Sequence, residues 1–249
     1  MKRTIALLLL ALLFAVPALA LTKAELKSTY QDMSLEDLNE LSDITFKIVD
    51  DAAKKTGYVP GRFSMGGAGG LYYFLPNASI NDNKPAQAQS ISSLTGGAGG
   101  FMVNMTPQWA VGGLFGGLGG GSTNKVGADY YTYTAGAAFE LVAAQYKPII
   151  NDNFIVGLDL GLGLAQGGYT IDVTNENLTG QDIIRSGTGL AYLIGLDVRK
   201  RFTSTFFFST KLGYFSAAFD TLKRGDFTDP GKSLKISAPY LSLGLGGNF

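Results

Sequence analysis

A strict two-residue alternation in the second half of the sequence limits the chain to β-structure. In FIVGLDLGLGLA, residues 154–165, one face carries Phe, Val and four Leu, while the other carries Ile, Asp, Ala and three Gly. Successive side chains of a strand point to opposite faces, so the segment has one apolar face and one face of mostly small residues. A strand of a soluble sandwich would instead expose a polar, charged face to water. The pattern is typical of a small barrel whose apolar face contacts lipid and whose narrow lumen holds small and polar groups.

The same alternation recurs along the chain, clearly in GLAYLIGLDVRK and TFFFSTKLGYF. The sequence therefore predicts an all-β fold, an eight-stranded antiparallel up-and-down transmembrane β-barrel with a short N-terminal helical region. In the first three strands Gly blurs the pattern, and a slip of one residue there would exchange inside and outside. The strands are predicted at residues 62–75, 92–105, 109–122, 131–146, 154–168, 187–200, 205–219 and 235–249.

The predicted connections alternate in length. Long polar connections are expected at residues 76–91, 169–186 and 220–234, with a shorter one at 123–130, and short turns at 106–108, 147–153 and 201–204. Long external loops, short periplasmic turns and an even number of strands are typical of outer-membrane barrels, and they place both chain ends in the periplasm. Aromatic residues near the strand ends suit two interfacial girdles: Tyr72, Tyr73, Phe74, Trp109, Tyr130, Tyr131, Tyr146, Phe154 and Phe249.

The N-terminus has the pattern of a secretory signal peptide. Lys2 and Arg3 precede an apolar run from residue 5 to 16, and Pro17 precedes an Ala-Leu-Ala cleavage site. An uncleaved anchor is the alternative, although the run is short for a spanning helix. The predicted organisation is a signal peptide at 1–20, a periplasmic helical segment at 21–58 and the barrel at 59–249.

The segment from residue 22 to 57 is predicted to be helical. Thr22 with Glu25, and Ser34 with Asp37, resemble N-terminal capping boxes. An apolar stripe follows at three- and four-residue steps: Leu35, Leu38, Leu41, Ile44 and Ile48. Such a segment can pack on the mouth of the barrel or bind a periplasmic partner, or it can lie on the inner leaflet through its stripe. Insertion as a plug is the third alternative, although an eight-stranded lumen is just wide enough for side chains.

The last strand resembles the C-terminal signature of outer-membrane β-barrels. Leu241, Leu243, Leu245 and the terminal Phe249 fit that signature, whereas Gly247 stands where the family usually has a bulky residue. The chain is similar in architecture to OmpA/OmpX-like small barrels. The resemblance implies insertion by the barrel-assembly machinery, localisation in a bacterial outer membrane, and contact with outer-membrane lipids and lipopolysaccharide.

Composition excludes several classes of function. The chain has 20 basic and 20 acidic residues, so no basic excess exists to bind nucleic acid. It has no Cys, which excludes disulfides and thiolate metal sites, and no His, the usual base near neutral pH. We therefore predict no cofactor, no metal site and no enzymatic activity.

Charged residues within the strands are the candidate functional residues. If each follows the alternation of its strand, all point into the lumen: Arg62, Glu140, Asp159, Asp197, Arg199 and Lys211. Charges in a narrow lumen must pair, because an isolated buried charge is very costly. The predicted network either ties the strands together, or acts as a salt-bridge gate or a site for a polar solute.

Three functions are compatible with this pattern. The first is a non-enzymatic structural or interaction module with a salt-bridged, mostly closed lumen. The second is a barrel that transports or binds small solutes or hydrophobic ligands. The third is a lipid-modifying enzyme that uses carboxylates.

Overall fold

The computed structural model describes residues 65–151, 153–175, 178–203, 205–225, 227–229 and 231–248. The predicted signal peptide, the helical segment, Arg62 and Phe249 lie outside these residues. No helix in this part of the chain is long and apolar enough to cross a membrane.

Eight long strands and one short hairpin form the fold. The long strands are β1 (Met65–Phe74), β2 (Leu94–Asn104), β3 (Trp109–Val126), β4 (Asp129–Ile150), β5 (Phe154–Asn175), β6 (Leu178–Arg201), β7 (Phe206–Phe219) and β10 (Leu234–Asn248). Two three-residue strands, β8 (Leu222–Arg224) and β9 (Phe227–Asp229), form a hairpin between β7 and β10. A 3₁₀ turn at Ala78–Asn81 interrupts the connection from β1 to β2.

The long strands close into a ring. Each pairs antiparallel with its neighbour in the chain, and β10 pairs with both β7 and β1. Each residue lies opposite a partner on the neighbouring strand. Stepping from Glu140 to its partner on β5, and from there through β6, ends at Ala218 on β7. Stepping from Glu140 in the opposite direction, through β3, β2, β1 and β10, ends at Phe208 on β7, ten residues from Ala218. This stagger tilts the strands, as closure of a barrel requires. The prediction of an eight-stranded antiparallel barrel is confirmed.

The two ends of the barrel differ. At the turn end, where β1 begins and β10 ends, the connections are short: residues 105–108, 151–153 and 202–205. At the opposite loop end, β3 and β4 join through a tight turn at Gly127, whose φ is +63°. The long connections 75–93 and 220–233 lie at this end as well.

Two predicted loops are strands instead. Residues 169–186 and 123–130 were expected to be loops, yet most of them extend the β5–β6 and β3–β4 hairpins. Their sequences are rich in Tyr, Thr, Ile and Val, which favour strands. The apolar alternation of β5 ends before residue 169, because the outward position Thr170, beyond the last outward leucine Leu164, is polar.

The predicted apolar outer face is confirmed on β5, β6, β7 and β10. The outward residues form a belt, which we call the apolar belt, of side chains that are 41–76% exposed. Its members are Leu71, Phe101, Phe115, Val142, Leu158, Leu160, Leu162, Leu164, Leu190, Tyr192, Ile194, Leu196, Phe206, Leu212, Leu241, Leu243 and Leu245. Trp109 and Tyr146 pack together near the turn end, with ring centroids 4.8 Å apart.

The interior is more apolar than the sequence predicted. Large side chains fill the loop half of the lumen, including Tyr72 and Phe74, which were expected in an outer girdle and are buried instead. Phe215 lies at the centre, with ring centroids 6.0 Å from Phe74 and 5.1 Å from Phe139. Glycine on neighbouring strands makes room for these rings: a Cβ at Gly213 would lie 2.7 Å from Cζ of Tyr240. Nearer the turn end the buried residues include small polar ones, Ser209 and Ser242.

Candidate functional site: a charge cluster in the lumen

Four of the predicted charges meet in the turn half of the lumen. Lys211 Nζ lies 2.5 Å from Asp159 Oδ2 and 3.5 Å from Asp197 Oδ2. Arg199 reaches the same oxygen of Asp197 through Nε and Nη2, each at 2.8 Å. Both carboxylates are almost completely buried. Asp159, Asp197, Arg199 and Lys211 thus lie together inside the barrel.

Two neutral side chains donate further hydrogen bonds to the carboxylates. Gln145 on β4 donates through Nε2 to Asp159 Oδ1 at 2.5 Å and to Asp197 Oδ2 at 3.1 Å. Ser209 on β7 donates to Asp197 Oδ1 at 2.8 Å. Each carboxylate thus accepts several hydrogen bonds, which a buried charge requires. Chemically the cluster is a set of mutually neutralising groups.

Glu140 does not join the cluster, and its predicted inward orientation is wrong. Its side chain is exposed on the outer face of β4, and its partners across the strands, Phe115 and Leu164, are exposed as well. The inward residues of β4 are the odd-numbered ones, from Tyr133 to Lys147. Both faces of β4 are rich in apolar residues, so the alternation did not fix its register.

Two polar residues of the lumen were missed from the sequence. Gln145 and Lys147 continue the inward face of β4, and each is about 1–2% exposed. Lys147 donates through Nζ to Asn104 Oδ1 on β2 at 2.8 Å. The strand was predicted to end at Tyr146, so Lys147 was placed in a turn. The available signal was its two-residue spacing from Gln145.

An apolar layer, which we call the apolar plug, closes the lumen above the cluster. Besides the rings described above it contains buried residues of the connection 75–93, notably Ile80 and Ile91. Tyr133 donates its hydroxyl hydrogen to Ile80 O at 2.7 Å. The Asn81 side chain accepts from the Ile91 amide at 2.8 Å and donates to Ile91 O at 3.2 Å. This connection is thereby folded into the loop end of the barrel.

Within the described ranges, no group of three or more His, Cys, Asp or Glu is placed to hold a metal ion. The lumen cluster has only two acids, and both are paired with bases.

Comparisons with known proteins add a likeness of fold. No protein-family model matches the sequence, and neither does any curated protein. Among solved structures, Ail of Yersinia pestis is 15% identical with a TM-score of 0.44, over 76% of this chain and 99% of that one. The outer membrane protein OprG of Pseudomonas aeruginosa is 13% identical with a TM-score of 0.41, over 75% and 96%. The outer membrane protease OmpT of Escherichia coli is 10% identical with a TM-score of 0.38, over 76% and 98%.

These likenesses concern the fold alone. At such identities and TM-scores they say nothing about function. The closed ring of eight strands rests on the strand pairing of this chain itself.

Proposed function

We propose that the chain is an integral β-barrel of a bacterial outer membrane, where it serves as a non-enzymatic structural or interaction module with a closed lumen. The observation that carries this proposal is the combination of an apolar outer face with a filled interior.

The apolar belt supports a membrane location. Apolar side chains at consecutive outward positions of β5, β6 and β10 are 41–66% exposed, and in water they would form a continuous apolar surface. A closed barrel satisfies all backbone hydrogen bonds between strands, which the interior of a membrane demands. Lipid is therefore the solvent that fits this surface.

The filled lumen supports a structural role over transport. The apolar plug occupies the loop half, and the charge cluster crosses the turn half. A solute would have to displace packed aromatic rings and then separate buried ion pairs. Eight-stranded barrels have interiors just wide enough for side chains, so these packed side chains leave little room for a solute.

The turn end would face the periplasm, because both chain ends lead to it and short turns are typical of that side. Leu241, Leu243 and Leu245 face outward on β10, as the assembly signature requires, while Phe249 lies outside the described residues. We infer that the barrel-assembly machinery inserts the chain among outer-membrane lipids and lipopolysaccharide. Residues 22–57 would then be available to a periplasmic partner.

Planar-bilayer recording tests the closed lumen. We expect the wild-type protein to show no stepwise openings, whereas Phe74→Ala/Phe215→Ala should open more often because it thins the plug. Leu241→Ala/Leu243→Ala, on the outer face, is the matched control and should stay closed. Regular channel openings of the wild-type protein would contradict the proposal in favour of transport.

A further inference from the structure

A groove crosses the outer wall of the barrel in its loop half. Its floor is one row of directly paired outward residues on β3, β4, β5 and β6: Gly119, Gly136, Gly168 and Ser186. A Cβ at Gly168 would clash with Arg185 O on the neighbouring strand. A side chain therefore cannot fill the floor at Gly168, and the groove is a consequence of the backbone itself.

The groove, which we call the outer groove, is open and has a volume of about 430 Å³. The next outward row towards the loop end forms its wall, with the side chains of Thr134, Thr170 and Ile184. Volumes of roughly 300–1,000 Å³ are typical of small-ligand sites. The hydroxyl groups of Thr134, Thr170 and Ser186 can each donate and accept hydrogen bonds. The outer groove therefore suits a ligand that carries several hydroxyl groups.

The apolar belt fixes the height of the outer groove in a membrane. On β5 the outward residues from Phe154 to Leu164 are all apolar. At about 3.3 Å per residue and a strand tilt of about 40°, these ten steps span about 25 Å, the height of the lipid-facing band of such barrels. Leu164 then marks the outer edge of the hydrocarbon layer. Gly168 lies four residues further, about 10 Å beyond that edge, at the level of the lipid headgroups.

Lys223 continues the floor of the outer groove on its β6 side. It pairs with Ser186 from β8 and is exposed. Directly opposite residues have Cβ atoms roughly 5 Å apart, so a lysine ammonium at this position can reach a ligand in the groove. Asp172, the next outward residue of β5 beyond Thr170, accepts a hydrogen bond from Thr174 at 3.1 Å. Its charge disfavours an anion over β5, so the end at Lys223 is the place for one.

We propose that the outer groove binds the phosphorylated sugar headgroup of a glycolipid of the outer leaflet, whose acyl chains lie along the apolar belt. The sugar lies on the glycine floor, its hydroxyl groups bond to the threonine wall and Ser186, and its phosphate pairs with Lys223. The groove meets such a lipid only if the barrel spans the outer membrane as proposed above.

Methyl NMR of the full-length protein in phosphatidylcholine nanodiscs tests this site, with lipid A as the probe. We expect the methyl signals of Thr134, Thr170 and Ile184 to shift with the mole fraction of lipid A and to reach saturation. Lys223→Met should weaken binding about fivefold, the contribution of one lysine near a charged surface. Lys235→Met, at an exposed lysine of β10, should leave the affinity unchanged.

Two glycine variants form a matched pair. A Cβ at Gly119 or at Gly69 would have its nearest neighbour, a backbone oxygen, at 3.7 Å, so a side chain can begin at either outward position without a clash. Gly119→Leu covers the floor of the outer groove and should abolish the shifts. Gly69→Leu, on β1 and away from the groove, should retain them. Saturable shifts that persist in Gly119→Leu would overturn the proposal.

The same samples distinguish failure of the lipid site from failure of the membrane location. Contacts of the Leu160 and Leu162 methyl groups with acyl chains report insertion. If these contacts are present and lipid A leaves the three groove signals unchanged, the lipid site alone is overturned. Equal shifts with phosphatidylglycerol, which has the charge but no sugar, would overturn the assignment to a glycolipid. Absence of the acyl-chain contacts would overturn both the site and the proposed membrane location.

Discussion

Lys211 on β7 and Asp159 on β5 form an ion pair across the strand that separates them, with 2.5 Å between Nζ and Oδ2. β6 lies between the two strands and supplies Asp197, which is 3.5 Å from the same ammonium. The cluster thus joins strands that share no backbone hydrogen bonds. This side-chain link adds to the backbone pairing in the turn half of the barrel.

Loss of Lys211 should destabilise the barrel strongly. Among the described residues, Lys211→Met leaves the buried Asp159 with Gln145 as its hydrogen-bond donor. Breaking a buried pair costs roughly 3–5 kcal/mol in free energy of unfolding. Urea unfolding in micelles measures this loss. The double variant Lys211→Met/Asp159→Leu should recover part of it, since no unpaired charge remains. A single-variant loss below about 1 kcal/mol, typical of exposed pairs, would show that the cluster is not a buried network.

Removal of the Glu140 carboxylate should stabilise the protein. Glu140 faces outward between Phe115 and Leu164, so its charge lies among lipid-facing side chains. An acid on the lipid face costs less than the roughly 2–4 kcal/mol of a base, and we expect Glu140→Leu to raise the free energy of unfolding by about 1 kcal/mol in lipid vesicles. The free energy of unfolding of Glu140→Gln should lie between those of the wild-type protein and Glu140→Leu. A clear loss of stability in Glu140→Leu would mean that Glu140 points into the lumen.

Substitution by alanine should have different effects on folding at two glycines, one on the inner and one on the outer face of the barrel. A Cβ at Gly213 would clash first with the backbone oxygen of Ile194, and it would lie 2.7 Å from Cζ of Tyr240. A Cβ at Gly97 would have Gly70 O nearby, at 3.7 Å. Gly213→Ala should therefore prevent the compact, heat-modifiable form on gels. Gly97→Ala should fold and gain up to about 1 kcal/mol by restricting the unfolded chain. Normal folding of Gly213→Ala would contradict the close packing of Gly213 against β6 and Tyr240.

The connection 75–93 should loosen when its hydrogen bond to Tyr133 is removed. Tyr133→Phe deletes the donor to Ile80 O, at a cost of about 1 kcal/mol. Hydrogen exchange of the Ile91 amide, which is bonded to Asn81, should become faster. Tyr192→Phe, on the exposed outer face, is the control and should leave this exchange unchanged. Equal exchange in Tyr133→Phe and wild type would mean that other contacts hold the connection.

The number of strands could be predicted from the sequence. The face of a strand that points outward could be predicted where its two faces differ strongly in composition. On β5 every outward position from Leu158 to Leu164 is leucine and the inward ones are Gly or Asp, so lipid and lumen are distinguishable. The inward orientation of Asp159 follows directly from that alternation, and those of Asp197 and Lys211 follow from the same alternation on β6 and β7. On β4 the contrast fails, because Phe139 and Val142 are both apolar yet face opposite ways. Glu140 was therefore assigned to the wrong face.

The apolar plug could not be predicted from alternation alone. Phe74, Phe139 and Phe215 lie on three strands whose proximity depends on the stagger of the closed ring. Ile80 comes from a connection that looked polar and exposed, and its burial depends on bonds to Tyr133 and on the adjacent strand ends. Lys147 was missed for a local reason: the register of β4 shifts between Tyr146 and Ile149.

The central claim, that the apolar belt contacts lipid, is tested most directly by spin labels along β5. The chain has no Cys, so single-cysteine variants need no background removal. In lipid vesicles, labels at Leu160, Leu162 and Leu164 should collide with oxygen and be shielded from a water-soluble nickel complex. A label at Thr170, outward on the same strand but nearer the loop end, should collide less with oxygen and be accessible to the nickel complex. Strong nickel accessibility at Leu160 and Leu162 would contradict the membrane-spanning barrel.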